Sequence, residues 1–481
     1  MIPLIASKET ERWGVFELVL DGPTEGNPFT DVRLSARFRQ GLLEAEAEGF
    51  YDGGGIYRIR FMPSSTGAWT YETSSSCPGM DGIAGEFVCT AALPGNRGPV
   101  RVKDNVHFQH ADGTKFIPVG TACRSWHLQS GERQQRTLDT LRRSPFNRVS
   151  MCVLPHRSAF GDCEPEIYPF AGTPERGFDF SRPNPGYFAR LEQKVRDLAK
   201  MNIEADLVLF HPHDEERWGF DRMSADDDER YVRYVVARLG AYRNVWWTLA
   251  EDSGAMPHKT EEMWRRLFLT VEECDCGRHL RSIQGGPAGY DFGAPWVTHV
   301  SLRHDDVRAV SDCTRHFGKP AILGDCGCEG NLDAKEYSLT PEDMLFRLWE
   351  GHVRGGYATH GETYDGEALW SLHGGRLYGK SAERIRFMRR ILEEAPDEAV
   401  YGGERLDAAM LEVSGEYYLQ YFGPHRFSFR EFALPEGSYE VDVIDTWNMT
   451  VASLEGKFTG RFRVDLPAKP YYALRIRKVN E

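Results

Sequence analysis

Apolar and polar residues alternate through much of the first hundred positions. Residues 32–38, VRLSARF, put Val32, Leu34, Ala36 and Phe38 on one face and polar groups on most of the other, the period-two pattern of a half-buried strand. Residues 16–20 (FELVL) and 57–61 (YRIRF) repeat it, the second after the turn Gly53-Gly54-Gly55. Short strands at this spacing predict a β-sandwich whose main task is to brace its neighbour. From about residue 99 the texture changes. Apolar runs of strand length alternate with segments of helical period, as in residues 187–201, where Phe188, Leu191, Val195 and Leu198 share a face. Runs without polar alternation suit strands covered on both sides by helices. They centre near residues 117, 150, 206, 247, 282, 299, 322 and 357. Eight strand–helix units in roughly 290 residues predict a TIM barrel with its site at the strand C-termini. The fifth run, near 282, is the weakest. After about 395 the β texture returns, in residues 417–422, 437–445, 460–466 and 471–476. The expected division is a sandwich over 1–98, a (β/α)8 barrel over 99–394 and a small C-terminal β-sandwich over 395–481.

Length and charge bear this out and narrow the partners. At 481 residues the chain exceeds one ordinary domain. A net charge of −14 with no basic run argues against nucleic acid and anionic membrane. No apolar stretch is long enough to span a bilayer, and residues 1–14 lack the basic-then-apolar pattern of a signal peptide. The ten cysteines include two Cys-x-Cys pairs, Cys274/Cys276 and Cys326/Cys328, rather than the Cys-x-x-Cys of structural zinc sites. We expect free thiols in a reducing cytoplasm, with a structural metal as the alternative, no catalytic metal, and either a monomer or a homo-oligomer.

Polar chemistry gathers behind the predicted strands. Strand 2 leads to Pro155-His156-Arg157, and strand 3 to His211, His213 and Asp214. Strand 4, NVWWTL, runs into Glu251-Asp252; strand 6 carries His299 and leads to Arg303-His304. Strand 7 ends in Asp325 with Glu329 four residues on, and strand 8 in His360 and Glu362. Side chains alternate along a strand, so Glu251 and Asp252 are expected to point apart. Carboxylates on facing strands are what glycosidic cleavage requires: one protonates the leaving oxygen, the other attacks the sugar or activates water. No cofactor is needed for that chemistry. Asp252 and Asp325 are the candidate pair, against the alternative that each is a loop salt-bridge partner. Glu251 is expected to orient its neighbours, Glu362 to act in the chemistry or bind hydroxyls, and Glu329 to bind sugar or cap its loop. His211, His213, His299 and His360 are candidate ligands for sugar hydroxyls. Trp126, Trp218 and Trp296 are candidate stacking platforms, or ordinary packing.

The stretches NVWWTLAED, HLRSIQ, PWVTHVS, KPAILGDCGCEGN and RGGYATHGETY together resemble the barrel of apiosidase-like, clan-A-type glycoside hydrolases. NPFTDVRLSARF with GFYDGGGIYRIRFMPSSTGAWTYET resembles the immunoglobulin-like domain that precedes many such barrels. The resemblance implies action on a glycoside, with an acid/base after strand 4 and a nucleophile or base after strand 7; the missing signal-peptide pattern points to an imported short oligosaccharide or glycoside as substrate. By register these fall on Asp252 and Asp325. Many relatives carry Asn-Glu where Glu251-Asp252 stands, and Glu where Asp325 stands. Shorter acids widen the gap between carboxylates, and a gap of roughly 6.5–9.5 Å favours inversion, whereas the resemblance favours retention. The departures leave two other outcomes: transfer of the chemistry to Glu251, Glu329 or Glu362, or a carbohydrate-binding relative without catalysis. A metal-dependent, amidohydrolase-like hydrolase using His211, His213, Asp214, His299 and Asp325 is a further alternative.

Overall fold

The computed structural model describes residues 5–6, 8–160, 163–214, 216–285, 290–365, 369–405 and 407–479. In the N-terminal domain one strand serves two sheets. Leu43–Tyr51 pairs with Leu34–Gln40 through residues 43–48 and with Ile56–Phe61 through residues 49–51. The crossing falls at Gly49, where a Cβ would lie 2.7 Å from the Leu34 side chain, so only glycine lets the two sheets approach. Between them lies an aromatic core. Phe38 stacks on Phe61 and Phe16 on Phe87, each with ring centres 4.1 Å apart, while Leu34, Ala36 and Phe38 all face inward, as the alternation predicts.

The central domain is a nearly closed parallel barrel. Its strands are Gly120–Ala122 (1), Arg148–Cys152 (2), Glu204–Phe210 (3), Val245–Ala250 (4), Arg281–Ser282 with Gln284–Gly285 (5), Val300–Arg303 (6), Ala321–Asp325 (7) and Tyr357–His360 (8). Strand 5 is broken at Ile283. Its first half pairs with strand 4 and its second half with strand 6, so a chain bend, rather than a full ladder, closes the ring. That is why its sequence signal is the weakest.

Two predicted strands are displaced. Strand 1 starts at Gly120 instead of near 116, because Pro118 has no N–H to give a ladder. Phe116 instead pairs with Phe108 in a small antiparallel sheet of Val100–Lys103, His107–His110 and Lys115–Phe116. This sheet stops the N-terminal end of the barrel, with Phe108 packed 5.2 Å from Trp246 and 5.3 Å from Tyr357. Strand 6 starts at Val300, after a turn in which the Val297 N–H donates to Ala294. His299 therefore precedes the strand, 5.8 Å from Phe108.

Inside the barrel, buried Arg148 donates to Asp206 Oδ2 (2.9 Å) and Thr359 (2.7 Å), and Thr248 donates to Asp206 Oδ1 (2.6 Å). This cross-brace ties strands 2, 3, 4 and 8. Outside, helix Pro185–Lys200 is capped by Asn184 and buries Phe188, Leu191, Val195 and Leu198 against the sheet. The C-terminal domain is a six-stranded sheet with an added two-stranded one. It joins the barrel where Tyr421 stacks on Trp349, ring centres 5.2 Å apart.

A buried ionic network fastens the N-terminal domain to the barrel. Arg60 donates to Glu17 (2.7 Å), to Glu192 (3.0 Å) and to the Arg238 carbonyl (2.8 Å). Arg238 donates to the other oxygen of Glu192 (2.9 Å) and to Asp52 (2.7 Å). Removing one member of such a network strands the rest without counter-charge. Glu192→Ala is expected to lower the free energy of unfolding by about 3–5 kcal/mol in urea titration; a loss below about 1 kcal/mol would show that the network is not integral to the docking.

Candidate active site

Strand 4 ends at Ala250, and its two acids lie just beyond. Asp252 has a left-handed backbone, φ 49° and ψ 43°, and opens a short 3-10 turn. Strand alternation stops where extended backbone stops, so the acids do not point apart. Both reach His213, whose Nε2 lies 3.4 Å from Glu251 Oε1 and 3.3 Å from Asp252 Oδ2. Two guanidiniums complete an ionic chain. Arg124 Nε donates to both oxygens of Glu251, at 2.7 and 2.8 Å, and its Nη2 is 3.8 Å from Asp325. Arg303 donates to Asp252 at 2.6 Å, its Nε is 3.8 Å from Asp325, and it also bonds Glu336 at 3.1 Å. Asp252 and Asp325 thus meet around one guanidinium. Arg303 and Asp325 are register partners at the ends of strands 6 and 7, and Asp325 Oδ1 accepts from the Gly327 N–H at 2.9 Å. A cavity of about 440 Å³ opens over this end of the chain, lined by Arg303, His304, Asp305, Asp325, Gly327 and Glu336.

The electrostatics follow from these contacts. Burial works to raise the Glu251 carboxyl, but Arg124 and His213 override it and hold it well below the usual range. Asp252 is likewise pushed up by burial and pulled down, on balance, by His213 and Arg303. Burial works to lower His213, but hydrogen bonding and charge from Asp252 and Glu251 raise it to about 9. Its neighbours behave oppositely. His156, stacked on His213 with ring centres 4.4 Å apart, is driven by burial far below the ordinary histidine range. His211 falls to about 4; its Nδ1 accepts from the His213 N–H and its Nε2 faces the Leu154 carbonyl.

Several expected site residues stand elsewhere. Glu329 and Glu362 are fully buried and paired in register on the loops after strands 7 and 8. Glu362 accepts the Tyr378 and Gly379 N–H groups at 2.6 and 3.0 Å. Glu329 accepts Lys380 N at 2.7 Å, Ser381 N at 3.2 Å, the Ser381 hydroxyl and Tyr364 at 3.0 Å. Both hold loops to the start of helix Ser381–Glu393, where free N–H groups favour anions, and neither faces the cavity. His360 is buried against Phe146, and His299 lies at the opposite end of the barrel. Trp126 is buried, with Lys194 over its ring at 5.6 Å. Trp218 donates to Glu164 at 2.9 Å and stacks on Phe220; Trp296 donates to Tyr290 at 3.0 Å. Trp126 and Trp218 are buried, and Trp296 is half-buried. The donor set expected for a metal hydrolase is not assembled, since His299 is remote and both His211 nitrogens meet backbone; His156, His213 and Glu251 do bring one ligand atom each within 4.8 Å of one another, as do Glu329, His360 and Glu362. A larger cavity, about 640 Å³, lies between the N-terminal domain and helix Ala225–Leu239; its Glu48 and Arg233 already pair with each other, and it is remote from the strand ends.

The sequence reading missed Arg124 and gave Arg303 no role. Arg124 follows the true end of strand 1, fixed by Arg124 N to Ser371 O (3.0 Å) and Cys152 N to Arg124 O (2.9 Å). Placing strand 1 after Pro118 instead of across it would have exposed a basic residue at a strand end.

Comparison with known proteins bears on the family and the fold. Residues 102–396 match the family profile described as the apiosidase-like catalytic domain. Residues 9–76 and 406–477 match two domains of unknown function, DUF5060 and DUF5605. A crystal structure of a proposed glycoside hydrolase from Bacteroides vulgatus is 37% identical, with a TM-score of 0.93, covering 98% of this chain and 100% of that one. A family 5 glycoside hydrolase from the same species, 16% identical with a TM-score of 0.64 and covering 80% of this chain and 94% of its own, shares the fold. No curated protein matches.

Burial, set against two backbone donors and aided by Glu329, raises Glu362 to about 7 from 4.5. Between those values the folded protein holds a proton that the unfolded chain has released, so stability falls as pH rises through the window and levels off above it. The full swing is about 3 kcal/mol. In Glu362→Gln the unfolding free energy is expected to lose this slope between pH 5 and 8; parallel curves for the two proteins would refute the assignment.

Proposed function

The chain belongs to the family of apiosidase-like catalytic domains and is a glycoside hydrolase, and from that premise we propose that it cleaves a short oligosaccharide or glycoside, exo-fashion, with anomeric retention. The observation that carries this is the meeting of Asp252 and Asp325 around Arg303 beside an open cavity. Asp325 stands in the nucleophile position after strand 7, one oxygen held by Gly327 N–H. Asp252 stands in the acid/base position after strand 4. Arg124 and Arg303 offset the charge of the clustered acids, and Glu251 keeps Arg124 aligned through two hydrogen bonds.

A recess bounded by Asp305 and Glu336 supports attack at a chain end rather than along an open polymer cleft. We read the N-terminal domain as an immunoglobulin-like brace, given its fastening through Arg60 and Glu192. No described helix is long and apolar enough to cross a membrane. Ten unpaired cysteines support a reducing, cytoplasmic setting.

Asp252→Asn and Asp325→Asn should each lower kcat/KM on aryl glycosides by roughly 10³-fold or more while leaving the circular dichroism spectrum intact. Near-normal rates in both would refute the pair. Proton NMR of the first-formed sugar should show the anomer of the substrate; the opposite anomer would replace retention with inversion.

A further inference from the structure

We propose that Glu329, His360 and Glu362 bind a divalent first-row cation, of manganese or zinc type, which clamps the loops after strands 7 and 8 to helix Ser381–Glu393; the inference stands apart from the sugar chemistry. One ligand atom from each residue lies within 4.8 Å of the other two, and all three side chains are fully buried. The backbone explains the convergence. Glu329 and Glu362 are register partners in a parallel pair, so their side chains leave on the same side. His360 stands two residues before Glu362, the spacing at which side chains of a strand share a face. Gly361 between them lets the chains close up, because a Cβ there would run into the Cys328 sulfur. A Cβ at Gly379 would likewise strike the Glu329 carboxylate.

Charge is the reason a cation belongs here. Two carboxylates lie out of water, and among the described residues no Lys or Arg side chain pairs with either. The N–H groups of Tyr378 and Gly379 on Glu362, and of Lys380 and Ser381 on Glu329, satisfy hydrogen bonding. They cancel no net charge, and each oxygen keeps a further lone pair. Buried charges in folded proteins are paired or coordinate metals.

His360 supplies an independent observation. Its Nε2 is buried with no hydrogen-bond partner, although the charge of Glu329 acts on the ring. No hydrogen bond links any two of the three residues. Ligand atoms around a zinc-sized ion, at bonds of about 2.0–2.2 Å, sit roughly 3–4.4 Å apart, a spacing wider than most hydrogen bonds. His360 Nδ1 lies 3.4 Å from the Thr121 hydroxyl oxygen, which also accepts from Trp370 Nε1 at 2.8 Å. A metal-bound histidine presents its other nitrogen to such an oxygen, which fixes the ring and its tautomer. Two carboxylates and an imidazole suit Mn²⁺ or Zn²⁺ over Ca²⁺ or Mg²⁺, which take oxygen ligands. The ion displaces the proton that burial places on Glu362, so the pH slope described for Glu362 belongs to protein kept in chelator. Glu329 lies four residues beyond Asp325, so the clamp also steadies the loop that leaves the active site.

The test uses the full-length protein, stripped with EDTA, desalted and titrated with MnCl2; manganese avoids competition from the free thiols. Electron paramagnetic resonance counts the bound ion, and a thermal melt reads Tm. One Mn²⁺ per chain is expected, with a Tm rise of about 3 °C or more at saturation that equal MgCl2 does not give. Glu362→Gln is expected to bind Mn²⁺ at least about 100-fold more weakly, and His213→Gln as tightly as the unaltered protein. No binding, or unchanged affinity in Glu362→Gln, overturns the site. Loss in His213→Gln with binding kept in Glu362→Gln moves the ion to His156, His213 and Glu251 and overturns it too. Should Glu362→Gln not fold, the pulsed spectrum of the unaltered protein decides. Coupling to one imidazole nitrogen supports His360; coupling to two, as the other cluster would give, or to none overturns it. None of these readings needs turnover, so the glycosidase proposal stands or falls separately.

Discussion

The site depends on one constraint: charges withdrawn from water must be matched locally. Glu251, Asp252 and Asp325 stand together at the barrel mouth, with Glu251 almost fully buried. Such acids repel one another and would take up protons unless cations were interleaved. Arg124 and Arg303 do this from strands 1 and 6, and His213 from strand 3. Each cation touches at least two acids, so no member can move without exposing an unpaired neighbour. The geometry is held by mutual neutralisation as much as by packing.

The barrel makes that interleaving possible. Residues far apart in sequence meet because each lies at a strand end or within three positions beyond it, and all the strand ends face one way. The supports are equally specific. The Arg148–Asp206 brace crosses the interior, Phe108 stops the far end, and Glu329 with Glu362 secures the loops after strands 7 and 8 to a helix N-terminus. Those two glutamates are buried near the site, yet they serve the frame; backbone N–H groups occupy their oxygens.

Much of the fold was legible from the chain. Period-two alternation marked the N-terminal strands, unbroken apolar runs marked the barrel strands, and the helical faces of residues 187–201 came out as expected. Errors fell where an apolar residue served a connection. Phe116 joined a plug sheet because Pro118 ended its run, and Trp296 with Val297 belonged to a turn, which moved His299 to the wrong end of the barrel.

By itself the sequence determined which residues could be buried and where strands 4 and 7 would stop, and so delivered Asp252 and Asp325 to strand ends. It could not say which acid would find which cation. Pairing depends on distances across the ring, and on the left-handed backbone at Asp252 that turns two consecutive acids toward one imidazole. Neither has a local signature, because a charge's environment is made by neighbours that lie far along the chain.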